Sequence, residues 1–266
     1  MLLTHINQFT PDRTLVQASA RMSHHVTRGT VHGSTKNWIC KAMGTAEDRS
    51  MRVSFMQKDS AQRELLAQEF FRLIIPHQPE TRVAQNPDSH DYFILSEEAL
   101  AYRQLPKNEA LNFENGTYTG LGQALMCAMF VEEIDLKNGN IGLDNQNRVI
   151  KIDGNLSFSS RAPGHRGLHN MENDLLSTLP YPTHFFTFNW LDYVKRRVRH
   201  PTSRIVDSTL KISPQFRQEV NQAIFKICLL PDHIIEGFVS ACIPERCAEF
   251  IDLILSRRDR LLTLAT

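Results

Sequence analysis

The chain has 266 residues, 41% of them hydrophobic, enough to bury a substantial core in one large domain or in two lobes closing on a cleft. Its 30 Lys and Arg balance 29 Asp and Glu to a formal charge of +1, which excludes a global attraction to nucleic acid or to a membrane surface and leaves only local basic sites. The five cysteines, Cys40, Cys127, Cys228, Cys242 and Cys247, form no Cys-x-x-Cys pair, so neither a disulfide framework nor a zinc site is expected, and they read as reduced, mostly core thiols.

The first 28 residues are polar and without pattern, and the opening MLLTHINQFTPDR lacks the apolar stretch of a signal peptide. No run approaches membrane-spanning length, which predicts no transmembrane segment and folding in a cytosol-like compartment. Thr30 to Lys36 leads into Asn37 to Gly44, two short strands around a turn, with Lys41 inside the second. Ser60 to Ile75 is helical, with Leu66, Phe70, Leu73 and Ile74 on one face, and Pro76 stops it. Thr81 to Ala84 and Tyr92 to Ser96 complete the strands of a small mixed-sheet lobe over 1–96.

From Tyr118 to Glu132 the pattern is again helical and mostly apolar, and two strand-like pieces then flank a turn at Asn145-Gln146-Asn147. Helices are expected near 171–178, 185–198, 213–229, 231–240 and 244–264, separated by Pro180, Pro201, Pro214, Pro231 and Pro244. Residues 97–266 therefore form a mainly α-helical second lobe, and the fold class is α+β with two lobes.

Chemistry concentrates in Ile134-Asp135-Leu136-Lys137-Asn138-Gly139-Asn140 and, past the hairpin, Ile152-Asp153-Gly154. An acceptor hydroxyl needs a carboxylate within hydrogen-bond reach, and Mg²⁺ needs hard oxygen ligands from two rigid points; Asp135, Asn140 and Asp153 meet that demand. The plainer alternative makes 135–144 a surface loop with Asn-Gly turn chemistry and Asp153 a strand-end cap. That accounts for one Asp-x-x-x-x-Asn, but not for Asp, Lys and Asn behind an apolar helix and ahead of an apolar hairpin, with a further Asp just past it.

The segment resembles the catalytic loop and magnesium strand of protein kinases, in which a catalytic Asp precedes a metal-binding Asn by five residues and a second metal-binding Asp follows the hairpin. The resemblance implies a two-lobed protein-kinase-like fold using ATP with Mg²⁺ or Mn²⁺. In it Asp135 orients or deprotonates the acceptor, Lys137 offsets charge on the transferred group, and Asn140 and Asp153 bind metal. Lys41 would face the nucleotide phosphates with Glu64 as its ion-pair partner, Glu69 being the alternative. Gly33, Ser34 and Thr35 would form a shortened phosphate-covering turn, and Leu95 and Glu97 the hinge beside adenine.

Departures are as clear. No Gly-x-Gly-x-x-Gly occurs, Glu133-Ile134 stands where His-Arg is usual, and Asp153-Gly154-Asn155 replaces Asp-Phe-Gly. These point to the atypical branch. Ile152 to Phe158 is similar to phosphatidylinositol kinases, and Glu64 ahead of Ile75-Pro76 is similar to HipA-type kinases. Gln78 to Arg82, Leu95 to Glu98, Asn189-Trp190-Leu191 and the tail Arg257 to Leu262 resemble small effector kinases of intracellular bacterial pathogens. That likeness implies a secreted enzyme, cytoplasmic in the producing cell, acting on a host protein or inositol lipid.

The densest cationic run is Lys195 to His200, where Lys195, Arg196 and Arg199 share a helical face that could hold an inositol phosphate or anionic lipid; a solvated helix end is the alternative. Arg161, His165, Arg166 and His169 follow Asp153 and could line the cleft. A nucleotide-binding adaptor without phosphoryl transfer, or a kinase-fold enzyme with other transfer chemistry, are the competing functions.

Overall fold

The computed structural model describes residues 3–17, 26–43, 51–105, 110–133, 135–136, 139–158, 179–180, 189–190 and 209–265. In chain order the first strands are β1 (Leu3–His5), β2 (Phe9–Gln17), β3 (Val26–Val31) and β4 (Asn37–Ala42). Helix α1 (Met51–Ile74) follows, then β5 (Thr81–Gln85) and β6 (Tyr92–Glu97). These strands make one six-stranded sheet in the order β1-β5-β6-β4-β3-β2, antiparallel except for the parallel β1–β5 pair.

The two faces of this sheet do different work. Side chains alternate along a strand. Val83, Tyr92 and Ile94 turn toward α1 and join the large core through Leu65, Leu66, Phe70 and Phe71. Trp38, Cys40, Ala84 and Leu95 turn the other way, into a small cluster with Phe9 and Val31, and the Arg82 guanidinium lies 4.8 Å over the Trp38 ring. Helix α1 is longer than expected at its N-terminal end. It stops where Ile75 N–H closes the last turn on Phe71 O and Pro76 has no N–H to continue.

Two strands, β1 and β2, lie in the segment expected to be patternless, and both sit at sheet edges. Pro11 belongs to β2, as an edge strand permits, and the β2–β3 register shifts between Pro11 and Val16.

Beyond the sheet come β7 (Arg103–Gln104), α2 (Ala110–Glu114), α3 (Leu121–Phe130), β8 (Asp135–Leu136), β9 (Ile141–Leu143), β10 (Val149–Lys151) and β11 (Asn189–Trp190). The chain closes with α4 (Thr209–Ile212), α5 (Pro214–Cys228), α6 (Asp232–Cys242), a 3₁₀ turn (Pro244–Arg246) and α7 (Cys247–Ala265). The helices expected near 171–178 and 185–198 lie outside the described residues.

Helix α3 is buried along its length. Phe130 stacks on Phe70 of α1 at 4.9 Å, and Gly122 lets α5 approach so closely that a Cβ there would stand 2.6 Å from Phe216 O. Its N-terminus has no local side-chain cap; instead the buried Glu219 carboxylate of α5 accepts from Gly120 N–H (2.8 Å) and Gly122 N–H (2.9 Å), a negative charge on the positive end of the helix. The architecture is thus α+β in two lobes, as expected: a mixed sheet with one helix, and a mainly helical C-terminal part. Among the described residues no helix is long and apolar enough to cross a membrane.

Candidate active site

Strand β4 carries Lys41 on the α1 side of the sheet, opposite Ile94. Its ammonium donates to Glu64 Oε1 (2.7 Å) and Oε2 (2.6 Å) on α1, and to Asp153 Oδ1 (2.9 Å), 112 residues away. The Glu64 side chain is only 2% exposed and that of Lys41 12%. Glu69, the other partner considered, is engaged elsewhere, accepting Thr81 N–H at 2.6 Å and pairing with Arg72 at 2.5 Å. Burial alone would lower the Lys41 pKa, but Glu64 and Asp153 more than offset it, so the group stays protonated.

Asp153 sits two residues past β10 with φ of 62°, a left-handed conformation that Asp tolerates better than most residues and that clusters at functional sites. Across from it, Ile152 N–H donates to Asn140 O (2.8 Å). The Asn140 amide nitrogen donates to Asp135 O (2.9 Å) and Asp135 Oδ2 (3.2 Å), which fixes both side chains and turns the amide oxygen away from Asp135. Lys41, Glu64, Asp135, Asn140 and Asp153 therefore belong to one connected set, drawn from β4, α1, β8, the following loop and the end of the hairpin.

Two buried residues not picked out from the sequence join the halves of that set. Lys151 Nζ lies 3.0 Å from Glu133 Oε2 and donates to the carbonyls of Ile152 (2.9 Å) and Asp153. Glu133 Oε1 in turn accepts Asp135 N–H (2.9 Å), and its other oxygen accepts the Ser157 hydroxyl (2.9 Å). One ion pair, fully buried on both sides, thus ties the strand bearing Asp135 to the turn bearing Asp153. The substitution of Glu133-Ile134 for His-Arg was the sequence signal, since a carboxylate at that place needs a buried cation. Strand β11 pairs in parallel with β8, Asn189 opposite Asp135.

Other expected residues lie elsewhere. Gly33, Ser34 and Thr35 do form a turn, with Gly33 at φ 79°, but it joins β3 to β4 at the end remote from Lys41. Thr30 faces Asn37 beside this turn, whereas Lys41 faces Val26, four residues farther along at about 3.3 Å each. Ser34 Oγ there accepts from Trp38 Nε1 (3.0 Å) and Lys36 N (3.1 Å), so its role is to close the turn. The connection between strand ends near Lys41 is 18–25, outside the described residues.

Leu95 and Glu97, expected as the hinge, lie on β6. The Leu95 side chain is buried on the face opposite Lys41, and its strand is flanked by β4 and β5. Glu97 N–H donates to Glu80 O (2.8 Å), and the Glu97 carboxylate pairs with Lys36 at 2.8 Å on the remote rim. At that end, the Lys41 face presents an ion pair instead, Arg28 Nη2 to Glu98 Oε2 at 2.7 Å, because Arg28 lies opposite Ile39. Lys137, Lys195, Arg196 and Arg199, with Arg161, His165, Arg166 and His169, lie outside the described residues.

The fit of a metal can be judged from the donors. Among the described residues no group of three or more His, Cys, Asp or Glu could hold an ion alone. The Asn140 amide oxygen and the Asp153 carboxylate are hard donors on opposed backbones, which suits Mg²⁺ or Mn²⁺ completed by phosphate oxygens and water. Gly154 permits this closeness to α1: a Cβ there would already touch Gln68 at 3.3 Å and Ala67 at 3.4 Å.

A strand lysine is thus held between a helix glutamate and a post-hairpin aspartate, and hydrogen bonds link that aspartate's strand end to a loop carrying Asp and Asn. No family model and no curated protein matches the chain. Among solved structures it is similar to the proinflammatory kinase CtkA of Helicobacter pylori, with 11% identity and a TM-score of 0.42 over 97% of this chain and 98% of that one. It is also similar to the N-terminal 618-residue fragment of LepB from Legionella pneumophila, with 16% identity and a TM-score of 0.38 over 89% of this chain and 46% of the fragment.

Proposed function

We propose that the chain is an ATP-dependent phosphotransferase using Mg²⁺ or Mn²⁺, and that its acceptor is a hydroxyl of a host protein or an inositol lipid. The observation that carries this reading is Lys41, whose single ammonium bridges Glu64 on α1 and Asp153 past β10. Glu64 orients that ammonium toward the nucleotide phosphates. Asn140 and Asp153 would hold the metal, which supplies charge neutralisation to the phosphates when bound. Asp135, kept in place by the Asn140 amide, would accept the hydroxyl proton, and Lys137 would offset charge on the transferring group. Secretion into a host cell and the resemblance to effector kinases belong to the same proposal, as does binding of an inositol phosphate or anionic lipid by Lys195, Arg196 and Arg199.

The test is turnover of ATP with and without Mg²⁺ by wild type and Asp153→Ala. The expected result is metal-dependent turnover abolished in the variant with its circular dichroism unchanged; turnover at the wild-type rate in the variant overturns the assignment. A second reading, nucleotide binding without transfer, is favoured by the Lys41 contact that already neutralises Asp153. It predicts a thermal shift with nucleotide but no phosphate release and no mass change in any acceptor.

A further inference from the structure

Three sequence-distant polar contacts outside the site converge on one place, where the 3₁₀ turn that opens the last helix meets the N-terminal half of α1. Lys58 Nζ donates to Glu245 Oε1, and Gln62 Nε2 donates to Glu245 Oε2 at 2.9 Å. Arg246 Nη1 donates to Asp59 Oδ1, while the other Asp59 oxygen accepts Arg63 Nε at 3.0 Å. Arg246 is held by Glu249 through Nε (2.9 Å) and Nη2 (2.6 Å), so its guanidinium is oriented before it meets α1. Of the partners on α1, Lys58 and Asp59 stand between one and two turns ahead of Glu64, and Gln62 two residues ahead.

The same helix also reaches the other half of the site. Arg246 lies 5.1 Å over the Phe250 ring, and Phe250 packs edge-on against Phe158 at 5.6 Å, five residues past Asp153. Arg257 lies 5.6 Å over Phe158, pairs with Glu132 at 2.5 Å and donates to Phe130 O at 3.1 Å. The 3₁₀ turn and the helix it opens therefore together contact the glutamate-bearing helix, the segment after Asp153 and the residues leading to Asp135.

We propose that Glu245 and Arg246 are positioning residues, a clasp that sets where α1 lies along its axis so that Glu64 meets Lys41. The apolar face of α1 cannot do this alone, because apolar burial is non-directional and tolerates sliding, whereas paired charge-assisted hydrogen bonds fix register. The clasp residues are partly exposed, with the Glu245 side chain 53% accessible, so they contribute little to global stability. Loss of position without loss of stability is the signature that separates this role from a merely structural one. The inference rests on Lys41–Glu64 being the working pair of the proposed phosphotransferase.

The experiment compares wild type, Glu245→Lys/Arg246→Glu and the charge-swapped quadruple variant that adds Lys58→Glu/Asp59→Arg, all in the full chain. Amide hydrogen exchange is followed at residues 60–68, with melting temperature and Mg-ATP affinity measured alongside. The expected result is exchange about tenfold faster at 60–68 in the double variant, a nearly unchanged melting temperature, weaker Mg-ATP binding, and recovery in the swap. Unchanged exchange, a rise spread over the whole chain with a fallen melting temperature, or no recovery in the swap overturns the clasp. If the double variant fails to fold, the milder Glu245→Gln/Arg246→Gln is read by the same criteria. Should wild type bind no Mg-ATP, the phosphotransferase reading fails while the exchange result still decides the clasp.

Discussion

Lys41 answers two carboxylates with one ammonium, and the identity of its helix partner turns on tertiary geometry. Glu64 and Glu69 are both on α1, five residues apart, and only the packing of α1 on the sheet decides that Glu64 faces β4 while Glu69 faces Thr81. The spacing of Asp135, Asn140 and Asp153 was legible because loop and hairpin lengths are local. The Glu133–Lys151 pair was not, since Glu133-Ile134 in place of His-Arg marks only one end of it and its meeting with Lys151 depends on both strands being in place. Another carboxylate offers a pH test. Asp144 Oδ1 accepts Gln146 N–H (2.8 Å) and Arg148 N–H (2.9 Å), and Oδ2 pairs with Arg148 at 2.7 Å. Burial alone would raise its pKa, but these hydrogen bonds and the guanidinium hold it below the usual carboxylate value. A depressed folded pKa contributes stability present above the unfolded value, about 4, and lost as pH falls through the folded one. Asp144→Asn should thus melt lower than wild type at pH 7, with the gap closing as pH drops below about 4, in a series of thermal melts.

Strands and helices differed in how plainly they announced themselves. The helices now called α1, α5, α6 and α7 were legible from apolar spacing bounded by prolines, because a Pro lacks the N–H that a helix interior requires. Strands β1 and β2 were not, since an edge strand pairs on one side only and tolerates a Pro and a broken alternation. Nor does a turn such as Gly33 to Thr35 declare which end of a sheet it occupies; that follows from strand order. The linker after β6 supplies the prediction at this scale. Strand β7 pairs with β9, Gln104 opposite Gly142, and Tyr102 OH donates to Gly139 O at 3.2 Å. A Cβ on Gly142 would stand 2.3 Å from Arg103 O and 2.7 Å from the Tyr102 ring. Gly142→Ala should push the linker off β9 and destabilise the protein by about 1–3 kcal/mol in urea denaturation.

At the scale of the whole molecule, the C-terminal helices are built into the site and are not an appendage. Arg257 is 1% exposed in the side chain and pairs with Glu132, which is itself buried. Arg257→Ala should leave the Glu132 charge buried without its partner and cost about 3–5 kcal/mol, read as a fall in the denaturation midpoint; a change below about 1 kcal/mol would remove α7 from this role. The two-lobed arrangement was readable from the order of elements, whereas the grip of the 3₁₀ turn before α7 on α1 was not, because surface charges pair by geometry alone. The Glu219 carboxylate on the first turn of α3 has a consequence for the order of events during synthesis. A nascent chain that has emerged only as far as 213 already carries all five clustered polar residues, yet the amides of Gly120 and Gly122 still lack their acceptor. The first turn of the helix leading into the Asp135 loop thus takes its acceptor from a residue made nearly a hundred positions later, so that turn is completed only after most of the chain has been synthesised.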